Sequence, residues 1–198
     1  KGVEHRVIPD RIEAGTFMLA VAGTGGKCRI NNVISEHIKP IILKLKEMEV
    51  DVEEFENSVI VSSEGNVVNT DIKTMPYPGF PTDMQAQFTA LMAKGIGTGV
   101  VNETVFENRF MHIGELKKMG ANISVEGRTA VVRGVEALAG AEVEATDLRA
   151  GAALIISALA AEGTTEIGHI HYIDRGYEMI EKKLKSVGCD IKRVRSEE

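Results

Sequence analysis

Three stretches of this chain superimpose on one another without a gap: RIEAGTFMLA from Arg11, DMQAQFTALM from Asp83 and DLRAGAALII from Asp147. A chain that repeats itself must fold as repeated units, so this feature comes before any motif. In each copy an apolar residue (Ile12, Met84, Leu148) precedes a polar one (Glu13, Gln85, Arg149) and then an alanine (Ala14, Ala86, Ala150). Met84, Phe88 and Leu91 fall at i, i+4 and i+7, the spacing of a buried helical stripe. A second triplet follows downstream, LKEMEVDV, LKKMGANI and LKSVGCDI. Its members predict helices that end on Glu49, Gly120 and Gly188, where a left-handed cap suits glycine. Each then enters a predicted strand (VDVEEF, ANISVEG, CDIKRVR), and the first two copies continue through a hairpin into NSVIVSS and RTAVVRG.

Between the two helices of each copy lie a glycine-rich turn and a short strand, in GTGGKCRINNV, GIGTGVVNETVF and GTTEIGHIHYI. Every copy therefore reads strand, helix, strand, helix, strand, which is the α/β class. A repeat of this length exceeds the common solenoid periods. The expectation is three strand-helix units around a pseudo-threefold axis, over about 3–68, 75–134 and 142–195, joined by the short linkers NTDIKTMPYPGF and VEALAGAEVEA.

Composition narrows the function classes. The 198 residues are 43% hydrophobic and 26% charged, an ordinary mix for a globular protein. No stretch approaches the roughly 20 apolar residues that a bilayer demands, and KGVEHRVIPD is not a signal peptide, so a cytoplasmic protein with no membrane partner is expected. The chain begins at Lys1 without a methionine, as a fragment or a processed chain would. A net charge of −6 argues against nonspecific nucleic-acid binding, and the basic IKRVR reads as a solvated strand end. Cys28 and Cys189 have neither metal nor disulfide spacing and are expected as buried free thiols in strand-like runs. His169 and His171 alternate along what reads as one strand face, yet no third ligand lies nearby, so no metal site is expected.

The candidate chemistry sits at the helix starts. The aligned position holds Arg11, Asp83 and Asp147. An aspartate there caps a helix and suits its dipole, which alone would explain Asp83 and Asp147. Arg11 breaks the pattern, and the preceding Asp10 is the better cap. Arg149 in TDLRAG and Arg175 in IDRGYE also lie at predicted helix starts. Guanidinium forks beside helix N-termini suit phosphate or carboxylate oxygens. Structural pairs with Asp147 and Asp174 would account for the same arginines. GTGG (Gly23 to Gly26) lacks the Lys-Ser/Thr ending of a phosphate loop and reads as a turn.

Four blocks, PTDMQAQF, ETVFENRFMHIGELKKMGA, ATDLRAGAAL and HIHYIDRGYEMIEKKLKSVGCDI, resemble in sequence and order the UDP-N-acetylglucosamine 1-carboxyvinyltransferases. These bacterial enolpyruvyl transferases begin peptidoglycan precursor synthesis. The resemblance runs from about Val3 to Arg195. It implies an inside-out α/β barrel domain, one of two similar domains each built of three repeats. It also implies transfer of the enolpyruvyl group from phosphoenolpyruvate to the 3′-hydroxyl of UDP-N-acetylglucosamine, with release of phosphate and no cofactor. By motif, Asp83 resembles the carboxylate that binds that hydroxyl and serves as its base. Val105 matches a residue contacting the sugar nucleotide through its backbone. Arg149 and Arg175 match arginines holding the phosphate and carboxylate of phosphoenolpyruvate, and Asp147 shares that site. The resemblance further implies that a reactive loop cysteine and a Lys-Asn pair belong to an N-terminal domain outside this chain. This half alone, without one strand of its domain by the same resemblance, is then expected to be inactive. The related shikimate 3-phosphate enolpyruvyl transferases and a non-catalytic binding module of the same fold are the competing readings.

Overall fold

In the computed structural model, which describes residues 2–194, Asp10 opens the first helix. Its Oδ1 accepts the N–H groups of Ile12 and Glu13 at 2.7 and 3.3 Å, satisfying donors that a helix start leaves free. The first unit then runs α1 (Arg11–Thr24), β1 (Gly26–Asn31), α2 (Ser35–Glu47), β2 (Asp51–Glu54) and β3 (Ser58–Ser63). The second runs β4 (Ile72–Lys73), a 3-10 turn (Thr82–Met84), α3 (Gln85–Ala93), β5 (Thr98–Asn102), α4 (His112–Lys118), β6 (Asn122–Glu126) and β7 (Thr129–Arg133). The third holds β8 (Glu142–Glu144), α5 (Leu148–Ala160), β9 (Glu166–Gly168), α6 (His171–Asp174) and α7 (Ile180–Ser186).

The first helices of the three units have no polar side to give to water. Every residue of α3 is buried, and α1 and α5 are buried along most of their length. Helices of that kind belong in the centre of a fold, and α1, α3 and α5 pack on one another there. The second helices are amphipathic. In α2, Ile38, Ile41, Ile42 and Leu45 face inward at i, i+3, i+4 and i+7, while Lys44 and Lys46 lie near its end. The sheets are ordered β1-β3-β2, β4-β5-β7-β6 and β8-β9, with β4–β5 and β8–β9 parallel and the remaining pairs antiparallel. Within the second unit the backbone closes on itself where glycine permits it: a Cβ on Gly134 would lie 1.4 Å from the carbonyl oxygen of Gly95. Both stretches read as linkers contain a leading strand, β4 or β8.

The repeats are unequal in four places. Residues 2–10 join no strand, so among the described residues the first unit shows no leading strand like β4 or β8, and Val3, Val7 and Ile8 are exposed. CDIKRVR forms no strand over residues 189–194, and Arg195 lies outside the described residues. Among the described residues no hairpin strand like β3 or β7 follows in the third unit, and a strand without a partner leaves its backbone groups unpaired. Arg193 instead ties this segment to Asp174, at 2.6 and 2.9 Å, and to Glu181 at 3.2 Å. Cys28, in β1, and Cys189, outside any strand, are half-buried rather than buried. His169 follows β9 with φ +54° and His171 opens α6, so the helix breaks the strand alternation.

The shared cap is present in all three units. Glu49, Gly120 and Gly188 take φ of +65°, +94° and +99° after their helices. A side chain in that conformation costs about 1 kcal/mol. Exposed Glu49 bears that cost, so Glu49→Gly is expected to raise stability by about 0.5–1 kcal/mol and Gly120→Ala to lower it by about 1 kcal/mol or more. Denaturant unfolding of the two variants checks both signs.

Candidate active site

The aligned helix starts are built differently, and the difference creates the site. At α5, Asp147 is a true cap: its Oδ1 accepts the N–H groups of Arg149 and Ala150 at 2.8 and 2.9 Å. Before α3 the chain inserts a 3-10 turn, entered from Pro81 in an extended conformation. Asp83 sits inside that turn and makes no capping bond, contrary to the capping expectation. Its carboxylate is left to side chains. Oδ1 takes the Arg109 guanidinium at 2.7 Å and Oδ2 takes Arg149 at 3.1 Å, with Asp83 still more than a third exposed.

Arg149 therefore pairs with Asp83 across units, not with Asp147. Being the second residue of a helix lined by small side chains, it runs to the helix end and is largely buried. Arg109 leans over the Phe106 ring, its guanidinium carbon 4.7 Å from the ring centre. Arg11 lies 5.0 Å over the ring of Tyr77, in the loop leading to the Asp83 turn. Beneath Arg149 the units share a buried polar contact: Tyr177 Oη and Thr16 Oγ1 are 2.8 Å apart, and Gln87 Nε2 reaches both at 3.4 and 3.5 Å. Burial pushes the Tyr177 phenol above its ordinary range, while Thr16 and the Arg149 charge pull it back in part.

Arg175 is elsewhere. It lies at the end of α6 rather than at a helix start, is exposed, and makes no ion pair among the described residues. Asp174 is held by Arg193, which keeps its carboxyl below the usual range. Val105 lies in the loop after β5, where its N–H donates to Glu103 Oε1 at 2.8 Å. That leaves the Val105 carbonyl as its backbone group for a ligand. The structure thus brings together Asp83 and Arg149, sets Asp147 one residue behind α5, and leaves Val105 and Arg175 without direct contact to them.

Sequence reasoning missed Arg109, Glu103 and His112. Arg109 lies inside the ETVFENRF block and could have been flagged as a cation near an acid. Glu103 gives no sequence signal, because its partners Thr74 and Thr82 are 29 and 21 residues away. Among the described residues no cluster of His, Cys, Asp and Glu is placed to hold a metal. A recess of about 490 Å³ lies apart from this site, lined by Leu43, Lys44, Ile72, Met75 and Phe80 among others. It contains no predicted site residue, so the charged cluster has the stronger claim to chemistry. No helix among the described residues is long and apolar enough to cross a membrane.

A carboxylate held between two guanidinium groups, beside the starts of buried helices of an inside-out α/β fold, is an arrangement suited to anions. The family model described as EPSP synthase (3-phosphoshikimate 1-carboxyvinyltransferase) matches residues 1–184, and the chain belongs to that family. Among its curated relatives, UDP-N-acetylglucosamine 1-carboxyvinyltransferase 2 of Carboxydothermus hydrogenoformans is 57% identical over 195 residues. UDP-N-acetylglucosamine 1-carboxyvinyltransferase 1 of Caldanaerobacter subterraneus subsp. tengcongensis is 58% identical over 193. Each alignment takes in 98% of this chain but 46% of the relative, so the chain spans about half the length of the curated relatives it matches. Of solved structures, the enolpyruvyl transferase NikO from Streptomyces tendae superimposes with a TM-score of 0.83 at 28% identity, covering 94% of this chain and 44% of that one. EPSP synthase from Acinetobacter baumannii, at a TM-score of 0.73 and 15% identity over 96% of this chain and 45% of that one, shares the fold.

His112, fully buried beside Arg109 and Asp147, supplies a pH-dependence. Burial, with help from Arg109 and against Asp147, lowers its pKa from 6.5 to about 4. A neutral buried histidine stabilises above the unfolded value, and that stability is lost as pH falls from about 6.5 toward 4. The loss by pH 4 is on the order of 3 kcal/mol. Denaturant unfolding between pH 7 and 4 is expected to show a shallower pH-dependence for His112→Gln than for the unsubstituted chain.

Proposed function

We propose that this chain is the C-terminal half of an enzyme that transfers the enolpyruvyl group of phosphoenolpyruvate to the 3′-hydroxyl of UDP-N-acetylglucosamine. The observation that supports this most is the 52–58% identity, over nearly the whole chain, to relatives that bear that activity in their names. The family model's description names the shikimate reaction instead, but the EPSP synthase structure stands at 15% identity and speaks for the fold alone. The three units form one domain, and a second domain supplies the other wall of the cleft. Such an enzyme works in the cytoplasm on peptidoglycan precursors.

In this reading the acceptor hydroxyl adds to C2 of phosphoenolpyruvate while C3 gains a proton, giving a tetrahedral adduct. Loss of phosphate and of a C3 proton then yields the enol ether. Asp83 accepts the hydroxyl proton: each of its oxygens already holds one guanidinium, but a carboxylate oxygen has a further lone pair for an O–H. Arg149 is placed to neutralise the anionic donor, and its bond to Asp83 couples the donor and acceptor sides. Asp147 holds the backbone from which Arg149 extends. Exposed Arg175 has no competing ion pair among the described residues and is free to meet an anion as the cleft closes. Val105 offers its carbonyl to the sugar nucleotide.

The test combines this chain with a separately produced N-terminal half and measures phosphate release. Release with UDP-N-acetylglucosamine and not with shikimate 3-phosphate is the expected result, with no turnover by this chain alone. Asp83→Asn is expected to lower kcat about 100-fold or more. Release with shikimate 3-phosphate, or steady turnover by the isolated chain, would overturn the reading.

A further inference from the structure

We propose that Glu103 is a positioning residue that sets the separation between the turn bearing Asp83 and the loop bearing Val105 and Arg109, and so shapes the subsite for the sugar-nucleotide acceptor. The inference rests on the function proposed above and deepens it.

Glu103 is 1% exposed at the end of β5, and no cation pairs with it among the described residues. A carboxyl in that position is costly unless hydrogen bonds replace its water. Four donors do so. Oε2 accepts Thr82 Oγ1 at 2.8 Å. Oε1 accepts Thr74 Oγ1 at 2.8 Å and the N–H groups of Val105 and Phe106 at 2.8 and 3.0 Å. With four donors converging on two oxygens, the group serves purely as an acceptor.

The sources of those donors carry the argument. Thr82 is the residue before Asp83, in the short turn that denies Asp83 a capping role. Val105 and Phe106 open a loop whose next residues are largely exposed and which holds Asn108 at φ +54°. That loop returns to the turn through Arg109 and Asp83, 2.7 Å apart. The turn and the loop are thus joined at the surface by an ion pair and at depth by one carboxylate. Filling the space with an apolar side chain would avoid the desolvation cost but could not fix either backbone. Thr104 adds a brace, its N–H reaching Thr74 Oγ1 at 2.8 Å.

Three substitutions in the full-length enzyme test this. Thr82→Val removes the tie to the Asp83 turn and leaves the loop's bonds in place. Glu103→Gln keeps an oxygen for the Val105 and Phe106 N–H groups, and Glu103→Ala removes every bond. Expected results are a kcat about tenfold lower for Thr82→Val with the phosphoenolpyruvate KM within twofold, a partial recovery in Glu103→Gln, and a loss of about 100-fold in kcat/KM for UDP-N-acetylglucosamine in Glu103→Ala. A lower melting temperature with kcat and the sugar-nucleotide KM unchanged in all three variants would make Glu103 merely structural and overturn the proposal. Amide exchange at Val105 and Phe106 gives a readout that needs no turnover. It is expected to accelerate in Glu103→Ala and far less in Glu103→Gln, and equal exchange in all forms overturns the proposal. An unsubstituted enzyme inactive on UDP-N-acetylglucosamine would instead refute the acceptor assignment, with the exchange result still deciding whether Glu103 holds the loop.

Discussion

The structure depends on three helices that cannot face water. Because α1, α3 and α5 are apolar nearly all round, their burial against one another is the arrangement that removes the most hydrocarbon from solvent. The sheets are then forced outward, each keeping one face toward solvent, while the amphipathic α2 and α4 pack beside them on α1 and α5, which is the inside-out order of layers. A packed helix trio has ends as well as sides. Residues at those ends escape the core without crossing it, so charge can collect there while the sides stay apolar. Asp83 and Arg149 meet at that place.

A trio of this kind leaves little tolerance for polar groups inside, and the few that occur are joined to one another. Thr16, Gln87 and Tyr177 come from three different units and share one hydrogen-bonded contact below Arg149. An unpaired polar group there would cost about 1–3 kcal/mol, so the contact penalises any sliding of one helix against the others. It also gives Arg149 a firm floor. The site is thereby tied to the packing of all three units, although its charged members come from the second and third.

Much of this was legible because the chain repeats. Alignment of three segments was enough to place the buried helices, the short strands after them and the left-handed caps at Glu49, Gly120 and Gly188. What the repeat concealed was where its copies differ. Residues 2–10 and 189–194 carry strand-like sequence but have no partner strand, and pairing is a property of the sheet, not of the segment. The IGHIHYI alternation failed for a related reason, since α6 begins within it. Of the site, Asp83 and Arg149 were found from their place in the repeat and from the resemblance, whereas their mutual ion pair was not foreseen. The sequence left a pair between Arg149 and its neighbour Asp147 open beside an anion site, and Arg149 meets Asp83 instead. Arg109 and Glu103 act through residues more than 20 positions away, a relation that neither period nor spacing encodes.

The divergence of one repeat position shows how such a site arises. Arg11, Asp83 and Asp147 occupy equivalent places, and Asp83 and Asp147 are chemically the same group. Asp147 spends an oxygen on two N–H groups of its own helix, which fixes the backbone but engages that oxygen locally. The 3-10 turn ahead of α3 shifts Asp83 out of capping geometry, so both its oxygens are available to side chains from other segments. Two arginines fill that demand, and their charge makes the same spot attractive to an anionic ligand. The turn costs α3 a capping bond worth about 1 kcal/mol, which the burial of the whole helix readily offsets. A small local defect in one unit, tolerated because the helix trio is so well buried, is what separates a capping aspartate from one whose two oxygens meet side chains of other segments.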